Sequence, residues 1–439
     1  MTPPTATLAV LLFFALSVGS SSSLPPEDGI RIVSAEKMVH LAGPIVRVFL
    51  TLEVENAPTA PDASEVLLAF TPREVEHLAI VKATRVEGKH RKRAYEPPLV
   101  IASDVAATPN GARLHSVLLN THLKPGEATT LEVVYVLTHF VDPSPAEISQ
   151  SEPQLVYYDD TAVMLSPYHV LEQVTYIKMP SNRIEDFAKV DPYSRAGTEV
   201  KYGPYNNQMP ITYVPIFVYY ENHPFAVVEK LERWVDIPRR GHIKVTEQYK
   251  MKRYGAWYKR IFSRIECPSW PFISALLSSS NKDRLYYGVI QGPRYPLFSG
   301  CTFTTGYGLA LQDFLIELDD GRRYINLTFG CPLLETVVDD FTITVVLPEG
   351  SKNPQPMIPF RTATSYSYLY RSGRAKVVLK KKNIVGEHSV PFQVYYESNP
   401  ILMLVEPIKL WSAVLVIIVV CVTFYMVFPS ENHPRPIEH

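Results

Sequence analysis

Residues Ile45–Asn56 read IVRVFLTLEVEN. Val46, Val48, Leu50, Leu52 and Val54 fall on one side; Arg47, Thr51, Glu53 and Glu55 fall on the other, with Phe49. Successive side chains leave a strand on opposite faces, so this alternation predicts a half-buried strand of an antiparallel sheet. Working outward, residues 64–70, 77–86, 113–120 and 129–140 carry strand patterns of their own. Lys124-Pro125-Gly126-Glu127 between them is a predicted turn, since Pro and Gly supply the dihedrals a turn needs. The chain has 38 Pro and 26 Tyr but only 20 Gly. Tyr and β-branched runs broken by Pro favour an all-β fold over a helical one. Short strands separated by turn signals predict a β-sandwich. Helical signals are confined to residues 269–280, and Asp319-Asp320-Gly321 is a predicted tight turn between strands at 314–318 and 324–329.

The later half of the chain repeats part of the earlier half. Residues 218–225 read VYYENHPF and residues 394–401 read VYYESNPI. Upstream of each lies a similar strand, VTYIKMPSN at 174–182 and FTITVVLPEG at 341–350. Two ordered matches at comparable spacing predict a duplicated unit; chance likeness between Tyr-rich strands is the alternative. The expected fold is two tandem β-sandwich-like domains, residues 24–228 and 229–407.

Both ends of the chain bear on compartment. Residues 410–428 (LWSAVLVIIVVCVTFYMVF) hold no charge, the length that matches the hydrocarbon core of a bilayer. They are the expected transmembrane α-helix, with Ser412, Ala413, Cys421 and Thr423 as small or polar residues for helix contacts. Residues 8–18 (LAVLLFFALSV) precede a run of small residues, the shape of a secretory signal at 1–23. Residues 24–409 are therefore expected in the lumen and 429–439 in the cytosol. Of the four cysteines, Cys421 lies in the span and Cys267, Cys301 and Cys331 are lumenal. Cys301 and Cys331 are the preferred disulfide pair; three free, buried thiols are the alternative.

A net charge of −1 with mixed signs implies no nucleic-acid partner. No Asp-x-Asp, G-x-S-x-G, H-E-x-x-H or C-x-x-C occurs. The pairs Asp159-Asp160, Asp319-Asp320 and Asp339-Asp340 are expected at turns or surfaces, because adjacent strand residues point to opposite faces. The basic runs 89–93 and Lys380-Lys381-Lys382 are expected to be solvated. Tyrosine doublets such as Tyr157-Tyr158 should place one ring inward and one outward. Asn326-Leu327-Thr328 is the one N-glycosylation sequon, and an acceptor at Asn326 must face outward. No catalytic, cofactor-binding or metal-ligating residue emerges.

Residues 148–187 (ISQSEPQLVYYDDTAVMLSPYHVLEQVTYIKMPSNRIEDF), 292–300 (GPRYPLFSG), 345–350 (VVLPEG) and 394–407 (VYYESNPILMLVEP) resemble, in the same order, the ribophorin I family of oligosaccharyltransferase subunits. The resemblance implies a single-pass type I protein of the endoplasmic reticulum membrane with two β-rich lumenal domains. It implies a non-catalytic accessory role beside a separate multispanning catalytic subunit and nascent secretory polypeptides. That complex moves a preassembled oligosaccharide from dolichol pyrophosphate to Asn in Asn-x-Ser/Thr. Family members from animals carry a long cytosolic region linked to ribosome docking, so the short tail here argues against ribosome contact. A type I adhesion or receptor protein with two sandwich ectodomains is the competing expectation.

Overall fold

The computed structural model describes residues 29–427 apart from 88–93, 96, 109–110, 150–151, 223–224, 260–284, 287–300, 319–321, 334, 360–362, 368–373 and 399–404. The expected signal at 1–23, the tail at 429–439, the helical signal at 269–280, the basic run at 89–93 and the turn at 319–321 lie outside the described residues. The rest is mostly β-strand, as the alternation predicts.

Twenty of the described strands fall into two series of ten. The first series is β1 (Ile30–Ala42), β2 (Ile45–Asn56), β3 (Leu78–Glu87), β4 (Ala128–Thr138), β5 (Leu155–Thr161), β6 (Val170–Lys178), β7 (Ile184–Phe187), β8 (Tyr193–Ala196), β9 (Glu199–Gln208) and β10 (Pro215–Glu221). The second is β11 (Phe225–Asp236), β12 (His242–Tyr254), β13 (Leu285–Tyr286), β14 (Cys301–Ala310), β15 (Arg322–Thr328), β16 (Val338–Val346), β17 (Ser351–Met357), β18 (Ala363–Ser367), β19 (Lys376–Ile384) and β20 (Pro391–Ser398).

The large sheet of the first half runs β8-β9-β6-β1-β2-β4-β3, with Ala94–Tyr95 added beyond β3, and that of the second runs β18-β19-β16-β11-β12-β14-β13. Each strand corresponds to the one ten places later. The pairing sense repeats as well: β1 lies parallel to β6 and β11 parallel to β16, while the other pairs in both series are antiparallel. The small facing sheets run β7-β10-β5, with Asp142–Pro143 beyond β5, and β17-β20-β15, with Leu315–Glu317 beyond β15. The duplication read from two short stretches thus extends over ten strands. The first half adds a three-stranded sheet of Ala63–Phe70, Arg113–Leu123 and Val100–Ala107.

β2 has the bounds the alternation predicts, and Val46, Val48, Leu50, Leu52 and Val54 are all buried. Each contributes about 1.5–3 kcal/mol by leaving water. They join Val156, Tyr158, Val218 and Tyr220 of the small sheet in one core; Val228, Leu231, Val245, Phe341, Val394 and Tyr396 anchor a second. The positions where one core ends and the next begins lie around β11, a single strand over Phe225–Asp236.

A short helix, Pro72–His77, precedes β3. Thr71 caps it: its hydroxyl accepts from the Glu74 N–H at 3.1 Å while the Glu74 carboxylate accepts from the Thr71 N–H at 2.8 Å. Reciprocal capping satisfies two orphan donors of a first turn, and Pro72 fits there because it has no N–H to lose. The predicted turn at Lys124–Glu127 is present, closed by the Glu127 N–H on the Lys124 carbonyl at 3.0 Å, with Gly126 at φ 74°.

After β12 the chain is clipped back to the first half. Gln154 Oε1 accepts from the Ala256 N–H at 3.0 Å. Gly255, at φ 135°, leaves room for it, since a Cβ there would stand 2.1 Å from Gln154 Oε1. Gly255→Ala is therefore expected to lower stability by about 1–3 kcal/mol through strain and loss of that bond. The check is the thermal unfolding midpoint against wild type and Gln154→Ala; a midpoint equal to wild type would show the clip to be idle.

The described residues end in a helix over Val405–Val427, 23 residues or about 35 Å at 1.5 Å per residue. Its described side chains are exposed, Trp411 at 72% and Phe424 at 65%. Among the described residues no helix is long and apolar enough to cross a membrane. Side chains of this helix are described only over 408–424 and at 426.

Candidate functional site

The two halves meet end to end at a joint built from strand ends. Ile45, Val136, Val227, Val337 and Val385 form a small buried cluster, with Ala79, Ile80 and Tyr254 packed on it. Charged groups ring this plug. Arg47 Nη1 lies 2.9 Å from Glu335 and its Nε 2.5 Å from Glu387. Lys82 Nζ donates to the Glu387 carbonyl at 2.6 Å, and Thr138 Oγ1 bonds Asn383 Oδ1 at 2.6 Å. His139 Nε2 meets Asp339 Oδ1 at 2.7 Å, while Lys252 holds Oδ2 at 2.9 Å. Burial pushes the Asp339 carboxyl up, but His139 and Lys252 outweigh it and hold it below the usual range. Isolated surface pairs stabilise little; a half-buried network around an apolar plug fixes geometry more firmly.

Two residues of this ring, His139 (φ 54°) and Asn383 (φ 56°), have left-handed backbones. Such conformations persist in non-glycine residues where surrounding contacts over-determine them. Beneath the ring lies His388, 1% exposed. Burial, with Lys381 and Lys82 nearby, pushes its imidazole down to about 3. Its Nδ1 accepts from the Val385 N–H at 3.2 Å, which places the proton of the neutral ring on Nε2.

Each half buries a cation at one equivalent place. Met179-Pro180 and Leu347-Pro348 follow β6 and β16; four residues before them stand Thr175 and Ile343. Lys37 is opposite Thr175, and Arg233 is opposite Ile343. The counter-ions differ. Lys37 Nζ lies 2.6 Å from Asp160 on β5, which also accepts from Tyr158 at 2.6 Å. Close by, Glu74 accepts from the Tyr135 hydroxyl at 3.1 Å; burial first, then Asp160, raises its carboxyl above the usual range. Arg233 Nε lies 2.7 Å from Glu247 on β12 and Nη1 donates to the Thr328 carbonyl at 3.0 Å. Tyr249 donates to Glu247 at 2.7 Å and Tyr307 at 3.3 Å.

Beside Arg233 opens a cleft of about 220 Å³ lined by Tyr307, Phe314, Thr328 and Cys331. Burial raises the Cys331 thiol to about 12, so it stays protonated and a weak nucleophile at neutral pH. Among the described residues no three His, Cys, Asp or Glu gather to hold a metal. The contacts at the joint hold the two halves in a fixed relation.

The family described as Ribophorin I matches residues 30–281 and 277–425. The chain belongs to the Ribophorin I family. Dolichyl-diphosphooligosaccharide–protein glycosyltransferase subunit 1B of Oryza sativa subsp. japonica is 62% identical over 439 residues, spanning 92% of this chain and 93% of that protein. Subunit 1B of Arabidopsis thaliana is 43% identical across 95% of this chain and 97% of its own length. Subunit 1A of Arabidopsis thaliana is 34% identical across 94% of this chain and 73% of its own. The solved structure of native yeast LTA4 hydrolase overlaps 49% of this chain at TM-score 0.27 and 10% identity, a likeness that carries no argument.

In this Ribophorin I family chain the residues singled out by sequence scatter. Asn326 is exposed on β15. Cys331 is a free, buried thiol, so the expected disulfide with Cys301 is not made; it lies in the second core, where its sulfur accepts from the Leu333 N–H at 3.4 Å. The backbone of Cys301 pairs with Met251 at the start of β14. Asp160 departs from the surface role expected of it and is buried against Lys37. Tyr158 is buried while Tyr157 is 38% exposed, as the doublet rule predicts. Lys380 and Lys382 are exposed and Lys381 half-buried. The two cation clusters and the joint were not anticipated. Their one legible trace is phase: Lys37, Arg233 and Glu247 each sit on the apolar side of an alternating strand.

Proposed function

We propose that this chain is a non-catalytic, accessory subunit of the endoplasmic reticulum oligosaccharyltransferase, the complex that transfers an oligosaccharide from dolichol pyrophosphate to Asn of Asn-x-Ser/Thr. The observation that carries this reading is the 62% identity to a subunit 1B across 92% of the chain. Residues 24–228 and 229–407 act as two lumenal β-domains held in one orientation by the joint. The uncharged run 410–428 crosses the bilayer once, behind a cleaved signal at 1–23. Supporting this, residues 410–428 carry no charge. The hydroxyls of Ser412 and Thr423 donate to carbonyls of their own helix, those of Lys409 and Val420, each at 2.8 Å. Hydroxyls satisfied within the helix suit a medium that offers no hydrogen bonds.

In this arrangement the chain stabilises the complex and holds acceptor polypeptide near a catalytic subunit, so that acceptor delivery gains from proximity. Tagging the chain and solubilising the membranes gently should recover a multispanning glycosyltransferase with it. Depletion should lower occupancy at a subset of Asn-x-Ser/Thr sites. Recovery of the chain alone, or its presence at the cell surface, would sink the proposal.

A further inference from the structure

The outer face of the second small sheet presents Asn326 among uncovered apolar groups. Facing side chains in register lie on one side of a sheet. Ile316, on the strand Leu315–Glu317, is opposite Tyr324, which is opposite Tyr395 on β20. One step along, Asn326 is opposite Gln393, which is opposite Met357 on β17. Tyr324 and Asn326 are two apart on one strand, so they share the face. Ile316 is 42% exposed, Met357 64%, and Asn326 is exposed. The two tyrosine rings lie 5.0 Å apart, and Tyr395 Oη bonds Gln393 Oε1 at 2.7 Å.

The first half shows what this place holds when protein covers it. Register makes β5 and β15 equivalent, with Tyr157 matching Tyr324 and Asp159 matching Asn326. There Phe217 stacks on Tyr157 and Arg73, from the short helix, reaches over to pair with Asp159 and Asp142. In the second half the position of Asp159 is the Asn of a sequon. Thr328, the hydroxyl residue that sequon requires, is also exposed on this face.

We infer that Asn326 carries an N-linked glycan whose first sugars lie on the Tyr324–Tyr395 pair and cover this face. The C–H bonds on the flat side of a pyranose ring are weakly positive and pack on the negative face of an aromatic ring. A glycan rooted at the next outward position of the same strand reaches Tyr324 without a turn of the chain. Attachment is by group transfer in trans from a lipid-pyrophosphate-linked oligosaccharide. The bond from sugar C1 to the phosphate oxygen breaks and the pyrophosphate leaves with the electron pair. The new bond runs from C1 to Asn326 Nδ2, which loses one proton to the transferring enzyme. The inference rests on the lumenal placement proposed above.

The full chain is expressed with translocation-competent membranes and its gel mobility read before and after glycosidase. One glycan-sized step is expected, lost in Asn326→Gln and in Thr328→Ala. His122→Thr supplies a control, because it completes a sequon at Asn120, an exposed strand residue. If that control gains a step and Asn326 carries none, the glycan inference fails while the lumenal reading stands; if neither site is modified, both fall. For the packing, the solubilised full chain is melted. Asn326→Gln should lower the midpoint by about 2 °C, and should leave it unchanged in a Tyr324→Val background. An equal fall in both backgrounds, or none in wild type, overturns the packing on Tyr324.

Discussion

Replacing Glu247 by Gln is expected to destabilise the protein by about 3–5 kcal/mol, the range for breaking a buried ion pair from one side. Glu247 is 3% exposed and Arg233 6%. The substitution removes the charge that holds the guanidinium but leaves the guanidinium in place, and burial then acts on it uncompensated. Arginine does not escape by losing its proton, because its ordinary value is far above neutrality. Tyr249 and Tyr307, which both donate to this carboxylate, exchange a charged acceptor for a neutral one, roughly halving the strength of each bond. The double change Arg233→Met with Glu247→Leu should recover most of the loss, since apolar residues of similar volume commonly replace a buried pair without penalty. The measurement is the unfolding midpoint of the solubilised chain for the single and double changes. A single substitution that leaves the midpoint in place would remove the ion pair from any account of stability.

The second large effect is on pH. His388 has an ordinary value near 6.5 when unfolded and is pushed down to about 3 in the fold. The unfolded chain therefore binds a proton that the folded chain refuses. The stabilisation is complete above about pH 6.5 and is lost as pH falls from there toward about 3, with a slope of up to about 1.4 kcal/mol per pH unit. Protonation would set a third positive charge beside Lys82 and Lys381, and Lys82 comes from the opposite half. The joint should therefore loosen on acidification before the cores do. His388→Gln removes the proton but keeps an acceptor for the Val385 N–H. It is expected to flatten the pH dependence between about 6.5 and 3 and to move the acid-unfolding midpoint downward. A variant that unfolds at the same pH as wild type would assign acid sensitivity elsewhere.

These clusters mark where sequence reading stops. The strand at Ile45–Asn56 was legible to the residue because one face is apolar throughout. β1 was not, because a bulge between Ile32 and Ser34 breaks its period. The helix at Pro72–His77 was overlooked although Thr71 and Glu74 form the capping pattern; six residues are too few for a periodic signal. The repeat was visible only in β6, β10 and their counterparts. The other eight strand pairs share their place in the topology, and many apolar residues satisfy the same inward position. Lys37 and Asp160 are 123 residues apart, and alternation within a strand carries no information about which distant strand supplies the partner. The joint is harder still, because strand ends give no periodic signal at all.

The parallel pairing that opens each half also sets a timetable for synthesis. β1 waits for β6, and β11 waits for β16, so neither large sheet closes until its later strands have emerged. Asn326 leaves the ribosome well before its cross-strand neighbour Gln393, 67 residues on (393 − 326). At about 5–20 residues per second that interval is roughly 3–13 seconds. During it β15 has its earlier neighbour, Leu315–Glu317, but not β20. The proposed acceptor Asn326 is thus fully synthesised while its sheet is still open on the β20 side, and the sheet closes only afterwards.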